Sequence, residues 1–356
     1  MRDPSLRRAR DFGLIDDPQV TGPQNAITDV PGVRVGHTTC REGNIATGFT
    51  AILPHEGNMF RERLLAAVEV INGFGKSAGL MQVTEMGCIE TPILLTNTFG
   101  IGTGFNALVR EAIRSNPDIG RDVATVNPVV CECNDGYLND IQAMALTEAD
   151  ATNALNAARA PAGTGPVAQG SVGAGTGMSC FGFKGGIGTA SRVVVIEGRP
   201  FILGTLVLAN FGKAGDLILP DGRRPKPFGA EPGPEKGSVI VILATDIPLT
   251  TRQLRRVAKR CGAGIAWLGS FWGNGSGDIV LAFSTAMAVP RRSLLTFSPG
   301  LFLCDCEIDA IFRAAAEATR EAVLNALCAA PSMTGFQDHT RPSLADWLLT
   351  NPRKAC

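Results

Sequence analysis

Residues Val239 to Ala244 (VIVILA) form an unbroken apolar run, rich in β-branched side chains, with no polar alternation. Such a run fits a strand covered on both faces, and so demands a further layer on each side of its sheet. Directly before it stands Gly237-Ser238, and before that Leu219 to Lys236 (LPDGRRPKPFGAEPGPEK), dense in proline, glycine and charge. Prolines remove amide donors and glycines raise the ordering cost, so that stretch predicts no regular structure. A small hydroxyl residue thus stands where a solvated loop meets a core strand. If the chain were cut there, Ser238 would stay held by the sheet, carrying a nucleophile (Oγ) and a candidate base (its α-amine) in one residue. Gly-Ser before a strand is also ordinary turn punctuation, so the remaining sequence has to decide.

Further apolar runs predict strands at Gly48–Leu53, Ala66–Ile71, Pro92–Thr96, Val123–Val130, Arg192–Ile196, Phe201–Ala209 and Asp278–Phe283. Helical spacing marks Phe105–Ile113, the alanine-rich Ile141–Arg159, the Leu254/Val257/Ala258/Cys261 stripe and a long helix through Ile308, Ile311, Phe312, Ala315, Val323 and Leu327. Many buried strands with a few amphipathic helices predict stacked sheets covered by helices, an α/β (α+β) fold. No internal repeat is present. Leu219–Lys236 is flanked by strands of one character, which makes it an insertion within one domain, and a loop of that length is usually functional or disordered.

Thirty-three basic and 33 acidic residues cancel, so no electrostatic argument favours nucleic acid or an anionic membrane as a partner. No apolar stretch approaches the ~20 residues of a membrane span, and the arginine-bearing start lacks the apolar core of a signal peptide. The expectation is a cytoplasmic protein. Ten cysteines are dispersed, with Cys-x-Cys pairs at Cys131/Cys133 and Cys304/Cys306. That spacing is too short for the usual structural zinc site, so reduced thiols, no metal and no cofactor are expected.

His37, His55 and His339 show no sequence pattern of a triad, and Gly275-Ser276-Gly277 lacks the spacing of a nucleophile elbow. The glycine-rich Gly170–Gly188 fails both nucleotide-loop patterns, since Lys184 is followed by Gly185 and position 178 is Met178. It reads as a tight strand–turn–strand segment or a wall beside an active site. Ser276 and Asp278 are two apart at the start of a strand, so a hydroxyl and a carboxylate share a face and can orient a third group. Asn210 ends an apolar strand, where its amide can donate to an oxyanion or merely close a turn. Glu132 and Tyr137 lie in a dense polar segment where a carboxylate could bind an ammonium and a phenol could donate to a tetrahedral intermediate.

Together these segments resemble the β-aminopeptidyl peptidase family, which includes DmpA-like L-aminopeptidase D-amidase/D-esterases and β-peptidyl aminopeptidases. The matching stretches are Asn25–Thr38, Asn134–Asp140, Gly185–Arg192, Ala209–Gly212, Gly237–Asp246 and Ser276–Thr285, in family order along nearly the whole chain. The resemblance implies a four-layer αββα sandwich like that of N-terminal-nucleophile hydrolases, with different connectivity. It implies a single catalytic domain, residues 1–356, that cuts itself at Gly237-Ser238 into an α chain (1–237) and a β chain (238–356). Ser238 would be the nucleophile, with Ser276 and Asp278 beside it, Asn210 the oxyanion donor, Tyr137 an active-site tyrosine and Glu132 the match for the substrate-amine carboxylate. The family's acid at position 278 can be glutamate, so the shorter aspartate alters reach. Substrates would be small peptides, amides or esters with a free N-terminal amine, and the assembly a homo-oligomer, a tetramer of αβ units. An acyltransferase of ornithine acetyltransferase-like architecture, or a non-catalytic assembly or binding protein, are the competing readings.

Overall fold

The computed structural model describes residues 7–15, 18–228, 235–292 and 300–353. An antiparallel hairpin, β1 (Arg34–Glu42) and β2 (Ile45–Leu53), leads to the long β3 (Glu62–Gly73), helix α1 (Leu80–Met86) and the short β4 (Cys88–Ile89). Then come β5 (Ile93–Asn97), α2 (Ile101–Ser115), β6 (Val129–Cys133) and α3 (Glu148–Arg159). The glycine-rich segment forms the two-residue strands β7 (Ser179–Cys180) and β8 (Phe183–Lys184) before the long β9 (Gly186–Ile196) and β10 (Arg199–Asn210). β11 (Lys236–Thr245), α4 (Thr251–Ala266), β12 (Gly275–Pro290) and α5 (Ile308–Ala329) follow, and the chain closes with β13 (Met333–Thr334), β14 (Thr340–Arg341) and α6 (Leu344–Thr350).

The strands sort into a four-stranded sheet, β1-β2-β5-β6, and a six-stranded sheet, β4-β3-β12-β11-β10-β9. Helices α2 and α3 cover the first, and α4 and α5 cover the second. Three apolar clusters fill the three spaces of this αββα stack. β11 shows why its run does not alternate. Val239, Val241 and Leu243 enter the helix-covered core, whereas Ile240, Ile242 and Ala244 enter the core between the sheets. All six are fully buried, and each large aliphatic side chain so placed contributes roughly 1.5–3 kcal/mol.

Two expectations change. The predicted strand over 123–130 lies instead at Val129–Cys133, because Pro128 breaks the run and only the residues after it find a parallel partner, in β5. The alanine-rich helix begins at Glu148 rather than Ile141. Thr147 and Asp150 form a reciprocal capping box there, with the Asp150 N–H donating to Thr147 Oγ1 at 3.3 Å and the Thr147 N–H to Asp150 Oδ2 at 2.9 Å. Within the long insertion, 219–228 carries no helix or strand, β11 takes up the chain from Lys236, and 229–234 lies outside the described residues.

Candidate active site

Ser238 stands at the start of β11, paired antiparallel with Asn210 on one side and parallel with Gly277 on the other. The residue is 4% exposed, and its Oγ donates to the Gly237 carbonyl at 2.6 Å. The hydroxyl therefore lies against the peptide unit that joins it to the preceding residue. Gly237 has φ +156°, and a Cβ there would fall 2.2 Å from the Asn210 carbonyl oxygen. Only glycine lets the chain pass so close to β10.

Ser238 lines a cleft of 550 Å³ together with Glu132, Asn134, Tyr137, Asn210 and Arg341. Asn210 is fixed at both ends of its amide. Oδ1 accepts the Ser179 N–H at 2.9 Å, and Nδ2 donates to the Asn134 carbonyl at 2.9 Å. Below them, the buried Cys133 thiol donates to the Ser238 carbonyl at 3.3 Å and contacts that of Leu208 at 3.6 Å, tying β6 of one sheet to β10 and β11 of the other. Burial pushes this thiol well up, suiting it to a neutral donor.

Ser276 and Asp278 flank Gly277, the register partner of Ser238. Ser276 Oγ donates to Asp278 Oδ1 at 2.8 Å, while Oδ2 is buried with no partner among the described residues. Burial pushes the Asp278 carboxyl up to about 7, with the Glu235 charge adding to the effect and hydrogen bonds from Ser276 and the Val239 backbone opposing it. By strand alternation these two side chains share the helix-covered face with Val280, whereas Ser238 shares the face of Ile240. The pair thus lies behind the nucleophile's backbone rather than in the cleft, and the Gly237 position is the one paired with Ser276.

Glu132, near the end of β6, is 2% exposed. It accepts the Lys76 N–H at 2.8 Å through Oε1 and the Thr98 hydroxyl through Oε2. Tyr137 is partly exposed and stacks on His339, with centroids 4.3 Å apart and planes 7° from parallel. The Arg341 guanidinium lies 3.6 Å from the same ring centroid. Groups at those distances cannot share one ring face, so the phenol is held between the side chains of residues two apart.

The structure thus gathers Ser238, Asn210, Glu132 and Tyr137 at one cleft and sets Ser276 and Asp278 behind it. Sequence reasoning missed Asn134, Ser179, Thr98, Cys133 and Arg341. The first two act through backbone atoms, which leave no residue-type signal, and Arg341 comes from the far C-terminal end. It also missed Lys184, whose fully buried ammonium donates to the carbonyls of Gly175, Met178 and Gly185 at 2.9–3.0 Å. Burial lowers it to about 7, while three carbonyl acceptors match three N–H donors. It holds the glycine-rich turn that delivers the Ser179 N–H to Asn210. His37 and His55 are elsewhere, hydrogen-bonded to Thr50 and to the Glu62 carbonyl. Among the described residues no three His, Cys, Asp or Glu side chains gather as a metal site, and no helix is long and apolar enough to cross a membrane.

A family model described as peptidase family S58 matches residues 25–341. A β-peptidyl aminopeptidase, BapA, from Sphingosinicella microcystinivorans is 38% identical over 94% of this chain and 88% of its own. Two solved structures superpose closely. A β-aminopeptidase from a Burkholderia species is 38% identical with a TM-score of 0.86, covering 98% of this chain and 100% of its own. An L-aminopeptidase D-Ala-esterase/amidase from Ochrobactrum anthropi, described as a prototype of the serine aminopeptidases and a new variant of the Ntn hydrolase fold, is 39% identical with a TM-score of 0.87, covering 98% and 99%.

Proposed function

The chain belongs to peptidase family S58, and from that premise we propose that it is a self-processing serine aminopeptidase, with amidase and esterase activity, acting through Ser238. The observation that carries this reading is the Ser238 hydroxyl 2.6 Å from the carbonyl oxygen of Gly237, at a position where a Cβ would fall 2.2 Å from the Asn210 carbonyl oxygen. Attack by Oγ on the Gly237 carbonyl carbon forms a C–O bond as the C–N bond breaks, and the proton passes to the departing nitrogen. Water then hydrolyses the ester, leaving a carboxylate on Gly237 and restoring the hydroxyl. The products are an α chain, 1–237, and a β chain, 238–356.

The new α-amine is that of Ser238, whose register partner Gly277 lies between Ser276 and Asp278. Its reference pKa of about 7.7–8.0 lets it act as a base near neutrality. Ser276 and Asp278 orient it and stabilise its ammonium form. In turnover Glu132 receives the substrate's amino group, the Asn210 amide takes the oxyanion, and the Tyr137 hydroxyl faces the tetrahedral intermediate. The family resemblance supports a tetramer of αβ units, which size-exclusion chromatography with light scattering tests.

The deciding experiment pairs hydrolysis of aminoacyl p-nitroanilides with N-terminal sequencing of the smaller fragment. Anilide release with serine 238 as the first residue is expected. An unbroken polypeptide that turns over substrate removes the mechanism.

A further inference from the structure

Among the described residues Arg341 has no acidic counterpart. None of the ion pairs among the described residues uses it, and its Nε is buried without a hydrogen-bond partner. It comes from β14, is half-buried, and is held over the Tyr137 ring at the wall of the cleft. A guanidinium so placed has lost part of its hydration and has gained the Tyr137 ring face and phenol in return, but no acidic partner among the described residues. Among the described residues the cleft is cationic: Lys76, Lys213 and Arg341 line it against one carboxylate, that of Glu132, which is already bonded to Lys76 N–H and Thr98.

Glu132, Asn134 and Tyr137, on one short segment, all line this cleft with Asn210 and Arg341. The Asn134 carbonyl holds the Asn210 amide, and Arg341 caps the Tyr137 ring, so the oxyanion donor and the guanidinium are both anchored on the segment that carries Glu132. A substrate with its amine at Glu132 and its scissile carbonyl at Asn210 leaves the Tyr137–Arg341 wall of the same cleft for its leaving group. We infer that Arg341 receives the free carboxylate of the leaving group, with the exposed Lys213 adding to the field, so that the preferred substrates are short peptides, dipeptides above all, rather than amides or anilides. Guanidinium is suited to this because it meets a carboxylate with two parallel N–H donors. The inference rests on the aminopeptidase reading above.

The test first identifies an amino acid X whose p-nitroanilide the purified protein hydrolyses. It then compares kcat/KM for X-glycine and X-glycinamide in the wild type and in Arg341→Gln. Intrinsic leaving-group differences cancel when the acid-to-amide ratio is compared between proteins. The ratio should fall about ten- to a hundredfold in Arg341→Gln, the loss expected for one charge-assisted contact, and Arg341→Lys should recover part of it. An unchanged ratio, or equal losses on acid and amide, overturns the assignment. Should the variant fail to fold, product inhibition of the wild type decides: glycine must compete with X-glycine at concentrations where glycinamide does not, and equal inhibition overturns the proposal. Absence of hydrolysis of every anilide and dipeptide would instead sink the aminopeptidase reading itself.

Discussion

Asn210 and Ser238 are register partners across β10 and β11, and the Asn210 amide is clamped by the Ser179 N–H and the Asn134 carbonyl. The donor to Oδ1 fixes which end of the amide is nitrogen. One Nδ2 hydrogen is spent on Asn134, and the other remains to face the cleft. A donor so fixed needs no reorganisation when negative charge develops beside it. Asn210→Ala should fold and lose about 10²–10³ in kcat with little change in KM. Steady-state kinetics on an aminoacyl anilide, with circular dichroism for the fold, checks this, and a near-wild-type kcat would remove the oxyanion role.

Ser238→Ala deletes the nucleophile of both reactions and keeps the strand. On a denaturing gel it should run as one band at the full 37.3 kDa, without hydrolase activity. The unsubstituted protein should give fragments near ~25 and ~12 kDa, in proportion to their lengths. Amidase activity in the alanine variant would mean that another residue attacks the substrate.

Gly237→Ala tests the backbone rather than the nucleophile. Its methyl would sit 2.2 Å from the Asn210 carbonyl oxygen at a φ of +156°. The strand must shift, at a cost of about 1–3 kcal/mol for a strained residue, and Ser238 Oγ loses its place against the carbonyl. The expected result is a folded, uncut chain with a lowered urea midpoint. Wild-type processing by this variant would show that the close approach of β10 and β11 is not needed for cleavage.

The layered fold was readable because burial on both faces leaves a mark in composition: Val239–Ala244 has no polar position to spare. The short strands were not, since two-residue elements such as β7 and β14 carry no period. Val123–Val130 misled because an apolar run says nothing of its partner, and the partner, β5, meets only Val129 onward. In the site, Ser276 and Asp278 were legible as a pair because alternation of side chains along a strand depends on spacing alone. That they face away from Ser238 was not, because the register of β12 against β11 is a tertiary fact. Arg341 was invisible for the same reason, lying 204 positions beyond Tyr137, the ring it covers.

Asp278 couples the site to pH in two ways. Its carboxyl is raised from 3.8 to about 7, chiefly by burial, so between those values the folded chain holds a proton that the unfolded chain has released. Asp278's contribution to the stability of the uncut protein therefore falls as pH rises through that window and is constant above it. Urea melts of Ser238→Ala should show that decline, and the added Asp278→Asn change, which cannot ionise, should flatten it; an equal slope in both would assign the pH dependence to other groups. In the cut enzyme the sign concerns the new α-amine. An ionised Asp278 favours the ammonium, raising the pH at which the amine becomes a base. Asp278→Asn should then move the acidic limb of kcat/KM to lower pH, whatever it does to the maximum rate, and a limb that stays in place would separate this carboxylate from the amine of Ser238.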